Sequence, residues 1–129
     1  MIIPTYNRSD LLGNTLDSVI SQTYTNWECI VVNDSSIDYT SELMEFYCEK
    51  DKRIKFYHRP HSLTKGANSC RNYGFEVSKG EYIQWFDSDD LMHPEKLNLK
   101  LKNALFYESD IIIDKSTEGF FKNINIKDY

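Results

Sequence analysis

Short apolar runs alternate with helix-period segments along this chain, and that alternation limits its fold more narrowly than any other feature. Ile2 and Ile3, before Pro4, read as the end of a first strand. Residues 27–32, with Ile30, Val31 and Val32 in succession, have the unbroken apolar character of a strand buried on both faces. Residues 54–58, 82–86 and 111–114 supply three further strands. Ser9 is placed to cap a helix with Leu11, Leu12, Leu16, Val19 and Ile20 on one face. A second helix is predicted over 39–50, through Leu43, Phe46 and Tyr47. The third, over 65–77, offers Gly66, Ala67, Cys70 and Gly74, small residues that let a helix approach a sheet closely. A fourth opens at Pro94, a residue suited to the first helical turn, and continues through Leu97, Leu101, Ala104 and Leu105. Strand and helix alternating at this spacing predict right-handed βαβ units, hence an α/β fold with a mostly parallel sheet flanked by helices.

Such sheets bind ligands beyond the carboxyl ends of their strands. Three loops lie there: Thr5-Tyr6-Asn7-Arg8, Asn33-Asp34-Ser35-Ser36 and Asp87-Ser88-Asp89-Asp90. Composition narrows what they bind. The 129 residues suit a single domain over 1–129. A formal net charge of −5 argues against nucleic acid, whose backbone is held by clustered Lys and Arg, so a phosphate ligand here needs a metal. Cys29, Cys48 and Cys70 lack the close pairing of a zinc or redox motif and read as reduced core residues. His58, His61 and His93 share no metal-ligand spacing, and the five glycines form neither a Walker-type nor a dinucleotide loop. No apolar stretch is long enough for a bilayer span, and Met1-Ile2-Ile3-Pro4 is not a signal peptide, so a cytoplasmic location is expected.

The acidic loop carries the strongest chemical signal. Three carboxylates within four residues repel one another, and a hard divalent cation such as Mg²⁺ or Mn²⁺ relieves that repulsion while leaving positions for substrate phosphates. The alternative is an acidic turn before the Pro94 helix. Asp34 can accept from a nucleobase imide or a ribose hydroxyl, or can form an Asx turn; Asp38 fits a cap of the second helix. Pro4, Thr5, Tyr6, Asn7 and Arg8 place a ring, a hydroxyl and a guanidinium in one loop. Arg71, on the small-residue helix, could reach a diphosphate; by itself it reads more simply as a surface ion pair.

Taken in order, Ile2 to Arg8, Ser18-Val19, Gln22-Thr23-Tyr24, Trp27-Glu28, Val31 to Ser36, Gly66, Arg71-Asn72-Tyr73-Gly74, Gly80 to Ile83, and Asp87 to Asp90 with Pro94 and Leu97 resemble the inverting family 2 glycosyltransferases with the GT-A, Rossmann-like fold. The resemblance implies nucleotide contacts at Pro4, Thr5, Tyr6, Asn7, Arg8, Asp34, Arg71, Asp87, Ser88 and Asp89, with Asp34 on the base. It implies a DXD motif at Asp87-Ser88-Asp89, a Mn²⁺ or Mg²⁺ cofactor at Asp89 and Asp90, and a nucleoside diphosphate sugar, UDP-linked, as donor. Asn33, Ser35 and Ile37 stand where the family often has Asp, Gly and Thr.

The acceptor implied is a glycan or polysaccharide, and peripheral association of the full-length enzyme with a membrane is compatible with the reading. The expected catalytic base and acceptor-binding half lie beyond Tyr129, so residues 1–129 read as a nucleotide-sugar-binding part that is inactive alone. The competing reading is a non-catalytic nucleotide-binding or assembly module of the same fold. A nucleotidyltransferase fits less well, because its Gly-rich basic loop is lacking.

Overall fold

The computed structural model describes residues 1–113. Three strands, β1 (Ile2–Thr5), β2 (Cys29–Asn33) and β3 (Ile54–His58), form a parallel sheet in the order β1-β2-β3. Ile2 lies opposite Ile30, and Cys29 opposite Ile54. Four helices surround it: α1 (Ser9–Ile20), α2 (Thr40–Lys50), α3 (Ala67–Val77) and α4 (Lys96–Phe106). This is the α/β architecture that the alternating pattern predicts.

Every residue of β1 and β2 is buried, which explains their lack of a polar face. The two-residue period of the strands divides their side chains between two layers. Ile3, Cys29 and Val31 join Leu12, Leu16 and Val19 of α1 and Met44 and Tyr47 of α2. Ile2, Ile30 and Val32 face the other way and meet Cys70, Tyr73 and Val77 of α3. On that second face the small residues of α3 are needed: a Cβ on Gly74 would stand 2.5 Å from Ile2 Cγ2 and 3.3 Å from Val32 Cγ2. Cys29 and Cys70 are buried free thiols, and burial pushes Cys29 up to about 12.

Two predicted strands are corrected. Residues 82–86 make one parallel bridge, Ile2 to Trp85, on the edge of β1 away from β2, through Ile2 N–H to Gln84 C=O (2.9 Å) and Phe86 N–H to Ile2 C=O (3.1 Å). Trp85 and Tyr82 remain 46% and 45% exposed, so this segment has the apolar composition of a strand without a second neighbour to complete its pairing. Residues 111–113 form no strand, and Ile111 and Ile113 are exposed; Asp114 lies outside the described residues.

Helix starts also shift. Pro94 precedes α4, held by its carbonyl, which accepts from the Thr23 N–H (2.9 Å). Gly66, at φ 138°, precedes α3 instead of lying in it. Ser9 does not cap α1: Arg8 occupies the cap position, and the Ser9 N–H donates to Asp38 Oδ2 (3.0 Å). Asp38 Oδ1 accepts from the Thr40 N–H (3.1 Å) and hydroxyl (2.6 Å) at the start of α2. One carboxylate therefore serves the amino-terminal ends of two helices, where backbone N–H groups lack intrahelical partners. Burial alone would raise its pKa, but the Thr40 and Ser9 hydrogen bonds outweigh that and bring it down to about 2.

Two outcomes are expected. Gly74→Ala forces β-branched Ile2 or the helix itself to move, and should destabilise the protein by roughly 1–3 kcal/mol in urea denaturation. Asp38→Ala should cost about 1–2 kcal/mol near neutral pH. Because the folded-state pKa is depressed, that stabilisation is present above the ordinary aspartate value and is lost as pH falls through about 2. The difference between parent and variant should therefore narrow between about pH 4 and pH 2, as followed by denaturation at each pH.

Candidate functional site

Parallel pairing brings the carboxyl ends of β1 and β2 to one edge, where their loops interlock. The Asp34 N–H donates to the Thr5 carbonyl (2.9 Å). Asn7, at φ 50°, receives the Ile37 N–H on Oδ1 (2.9 Å) and gives its own N–H to Ser36 Oγ (2.9 Å). Asn33 Oδ1 takes both the N–H (2.9 Å) and the hydroxyl (2.6 Å) of Ser36. Asn33, at the position where the resembled family often has Asp, thus serves as the acceptor that closes the second loop. Ser35 adopts φ 65°, a left-handed conformation that costs a non-glycine residue energy.

The acidic turn is tied to α1 from the opposite side. Thr15 donates its hydroxyl to the Ser88 carbonyl (3.0 Å), the Met92 N–H donates to Ser18 Oγ (3.0 Å), and the Gln22 side chain bridges the His93 carbonyl (2.7 Å) and the Leu97 N–H (3.1 Å). Thr15 and Ser18 of α1, with Gln22 just past its end, therefore hold the 88–97 segment from one side.

Between these loops lies a cavity of about 300 Å³, lined by Pro4, Thr5, Tyr6, Arg8, Asp34, Ala67, Arg71, Asp87, Ser88 and Asp89. Nine of the ten residues expected to contact a nucleotide line it. Asn7, the tenth, acts instead in the loop lock just described. Asp90 lines an adjoining cavity of about 400 Å³ with Gln84, Trp85, Phe86 and Lys96; Arg71 and Asp87 border both.

Charge in the site is balanced by three arginines. Arg71 Nη2 donates to Asp87 Oδ1 (2.8 Å), and Arg8 Nη2 stands 3.8 Å from Asp89 Oδ2. Asp34, 5% exposed, receives Arg59 Nε on Oδ1 (2.5 Å). Arg59 was not singled out from sequence, although it directly follows β3 and so satisfies the same carboxyl-end rule that pointed to the other loops. The Thr5 hydroxyl is buried without a hydrogen-bond partner among the described residues, as a group awaiting a ligand would be. Lys65 Nζ lies 4.0 Å from the centre of the Tyr6 ring.

The fit to a divalent ion rests on the donor set. Burial first, and then the neighbouring Asp87 and Asp89 carboxylates, push the Asp90 carboxyl above its usual value, a like-charge strain that a cation would remove. Among the described residues no three His, Cys, Asp or Glu side chains converge on one point. Mg²⁺-type ions are commonly held by one or two carboxylates with phosphate oxygens and water completing the shell, and the acidic turn offers that number.

A model of glycosyl transferase family 2 matches residues 1–127. The chain belongs to glycosyl transferase family 2. It is 46% identical over 102 residues to an uncharacterized glycosyltransferase of Rickettsia bellii, covering 79% of this chain and 14% of that protein. It is 33% identical over 126 residues to glycosyltransferase GlyA of Streptococcus pneumoniae, covering 94% of this chain and 18% of that protein. Among solved structures, that of S. aureus TarS 1-349 in complex with UDP-GlcNAc superposes with a TM-score of 0.80 at 28% identity, covering 95% of this chain and 36% of that one. The chain therefore spans well under half the length of these family 2 relatives. No helix among its described residues is long and apolar enough to cross a membrane.

The left-handed Ser35 gives a direct check on the loop. Ser35→Gly removes the conformational cost without touching a described hydrogen bond, and should raise stability by up to about 1 kcal/mol in thermal or urea unfolding.

Proposed function

We propose that this chain is the donor-binding part of a glycosyltransferase that moves a sugar from a nucleoside diphosphate, UDP, to a hydroxyl of a glycan or polysaccharide with inversion at the anomeric carbon. One observation carries the reading: Asp34, Thr5, Arg71 and the Asp87-Ser88-Asp89 turn border a single cavity at the carboxyl ends of β1 and β2. Family membership supports a transferase, and the likeness to TarS bound to UDP-GlcNAc supports a uridine donor.

In this reading Asp34 accepts from the base, and the unpartnered Thr5 hydroxyl donates to it. Tyr6 offers its ring face, while Arg8 and Arg71 lie within reach of the diphosphate. Asp89 and Asp90 are the residues that would hold Mn²⁺ or Mg²⁺, and such an ion would supply positive charge to stabilise a departing diphosphate. Arg8 and Arg71, now paired with Asp89 and Asp87, can exchange those carboxylates for phosphate as ion and donor arrive. The residues named above account for donor binding, and deprotonation of the acceptor hydroxyl falls to a base outside that set.

Calorimetric titration with UDP, in Mn²⁺ and in its absence, tests this directly. Mn²⁺ should tighten binding by about tenfold or more, equivalent to about 1.4 kcal/mol, and Asp89→Ala should abolish that gain. UDP binding by Asp89→Ala with the parent's affinity and metal dependence would refute the role assigned to the acidic turn.

A further inference from the structure

Arg59 and Asp34 form a buried ion pair across 25 residues of sequence, with side chains 7% and 8% exposed. Such pairs are costly to desolvate, and removing one partner leaves the other as an uncompensated buried charge. The pair's geometry is specific. Arg59 Nε takes only Oδ1 of Asp34, while Arg59 Nη1 donates to the carbonyls of Pro60 (3.1 Å) and Leu63. The Arg59 N–H donates to the Asn33 carbonyl (2.9 Å), which fixes the backbone at this position beside the end of β2, while the guanidinium itself is held by Asp34 and the two carbonyls. Asp34 Oδ2 receives no hydrogen bond from a described residue, and Asp34 borders the same cavity as Thr5, whose hydroxyl is buried without a hydrogen-bond partner among the described residues.

We propose that Arg59 is a positioning residue that sets nucleobase choice: by engaging Oδ1 it leaves Oδ2 as the unengaged acceptor of Asp34, which together with the Thr5 hydroxyl favours uracil over guanine. The inference rests on the donor-site reading above. Uracil presents one imide N–H flanked by carbonyl oxygens, so it needs one acceptor beside a donor. Guanine presents an adjacent N–H and NH₂, which a carboxylate with both oxygens free would receive in parallel. Holding Oδ1 takes one of its lone pairs and part of its charge, and so weakens the second acceptor that guanine requires. Anchoring the guanidinium to the 60–63 turn keeps Oδ1 held whether or not a base is present.

The test is calorimetric titration of the parent, Arg59→Gln and Arg59→Lys with UDP, GDP and, as a probe without a base, pyrophosphate in Mn²⁺. Arg59→Gln should lower the UDP-to-GDP affinity ratio by about tenfold or more while leaving pyrophosphate affinity within about twofold. Arg59→Lys, which keeps a cation but cannot grip both Asp34 and the 60–63 carbonyls, should give an intermediate ratio; it also carries the test if the Gln variant does not fold. In an Asp34→Asn background Arg59→Gln should change the ratio no further. An unchanged UDP-to-GDP ratio in both variants, or an equal loss of UDP and pyrophosphate affinity, overturns the proposal and leaves the donor site standing. Failure of the parent itself to bind UDP overturns the donor-site reading and this inference together.

Discussion

Parallel pairing of β1 with β2 is the constraint on which everything at the site depends. Antiparallel neighbours would send successive loops to opposite ends of the sheet, whereas parallel ones send both carboxyl ends the same way. Thr5 and Asp34 become neighbours because Thr5 pairs with Asn33 in register and its carbonyl receives the next N–H along. A slip of one residue would turn Ile2, Ile3, Ile30 and Val31 to the wrong layers, exchanging the α1–α2 face for the α3 face. Close packing on both faces therefore sets the register, and the register sets which polar groups meet at the rim. Gly74 belongs to the same argument, because the α3 face closes on Ile2 and Val32 only where one helix residue has no side chain.

The rim contacts differ in kind. The Arg59–Asp34 pair is buried and shares its guanidinium with backbone carbonyls, so it behaves as part of the framework. Arg71–Asp87 and Arg8–Asp89 are exposed, with Asp87 57% and Asp89 43% open at the side chain, and exposed pairs of this sort contribute little to stability. Weak pairs suit groups that must change partners. The Asp34 end of the cavity is thereby rigid and the acidic-turn end adjustable, which is the division the proposed donor site would require if it selected a nucleoside before a diphosphate.

Much of this was legible in the residues because burial on both faces leaves a plain mark: Ile30-Val31-Val32 has no polar alternation to confuse it with an exposed strand. Most of the expected nucleotide contacts also fell on one cavity, since the carboxyl-end rule depends only on strand order and direction. What failed depended on partners far away in sequence. Residues 82–86 look like a strand by composition, but pairing needs neighbours, and β1 supplies a single bridge. Ser9 looks like a cap, yet Asp38 supplies the acceptor from across the site. Arg59 carries no local motif; its significance exists only once β3 lies beside β2 and its side chain meets Asp34. Local patterns report on burial and direction, while pairings between loops are decided by tertiary placement.

The hold on the 88–97 segment explains why residues remote from the cavity belong to the same ordered set of resemblances. Ser18 and Gln22 do not line the cavity, but with Thr15 they receive or donate the hydrogen bonds that hold the 88–97 segment. With only one bridge anchoring residues 82–86 to the sheet, the acidic turn would otherwise hang from a weakly paired edge. Like charges at Asp87, Asp89 and Asp90 would drive that edge apart. Hydrogen bonds from the α1 side oppose the repulsion without neutralising it, so the carboxylates stay close together. The turn's geometry is thus set by α1, which is itself seated on the face of the sheet opposite α3.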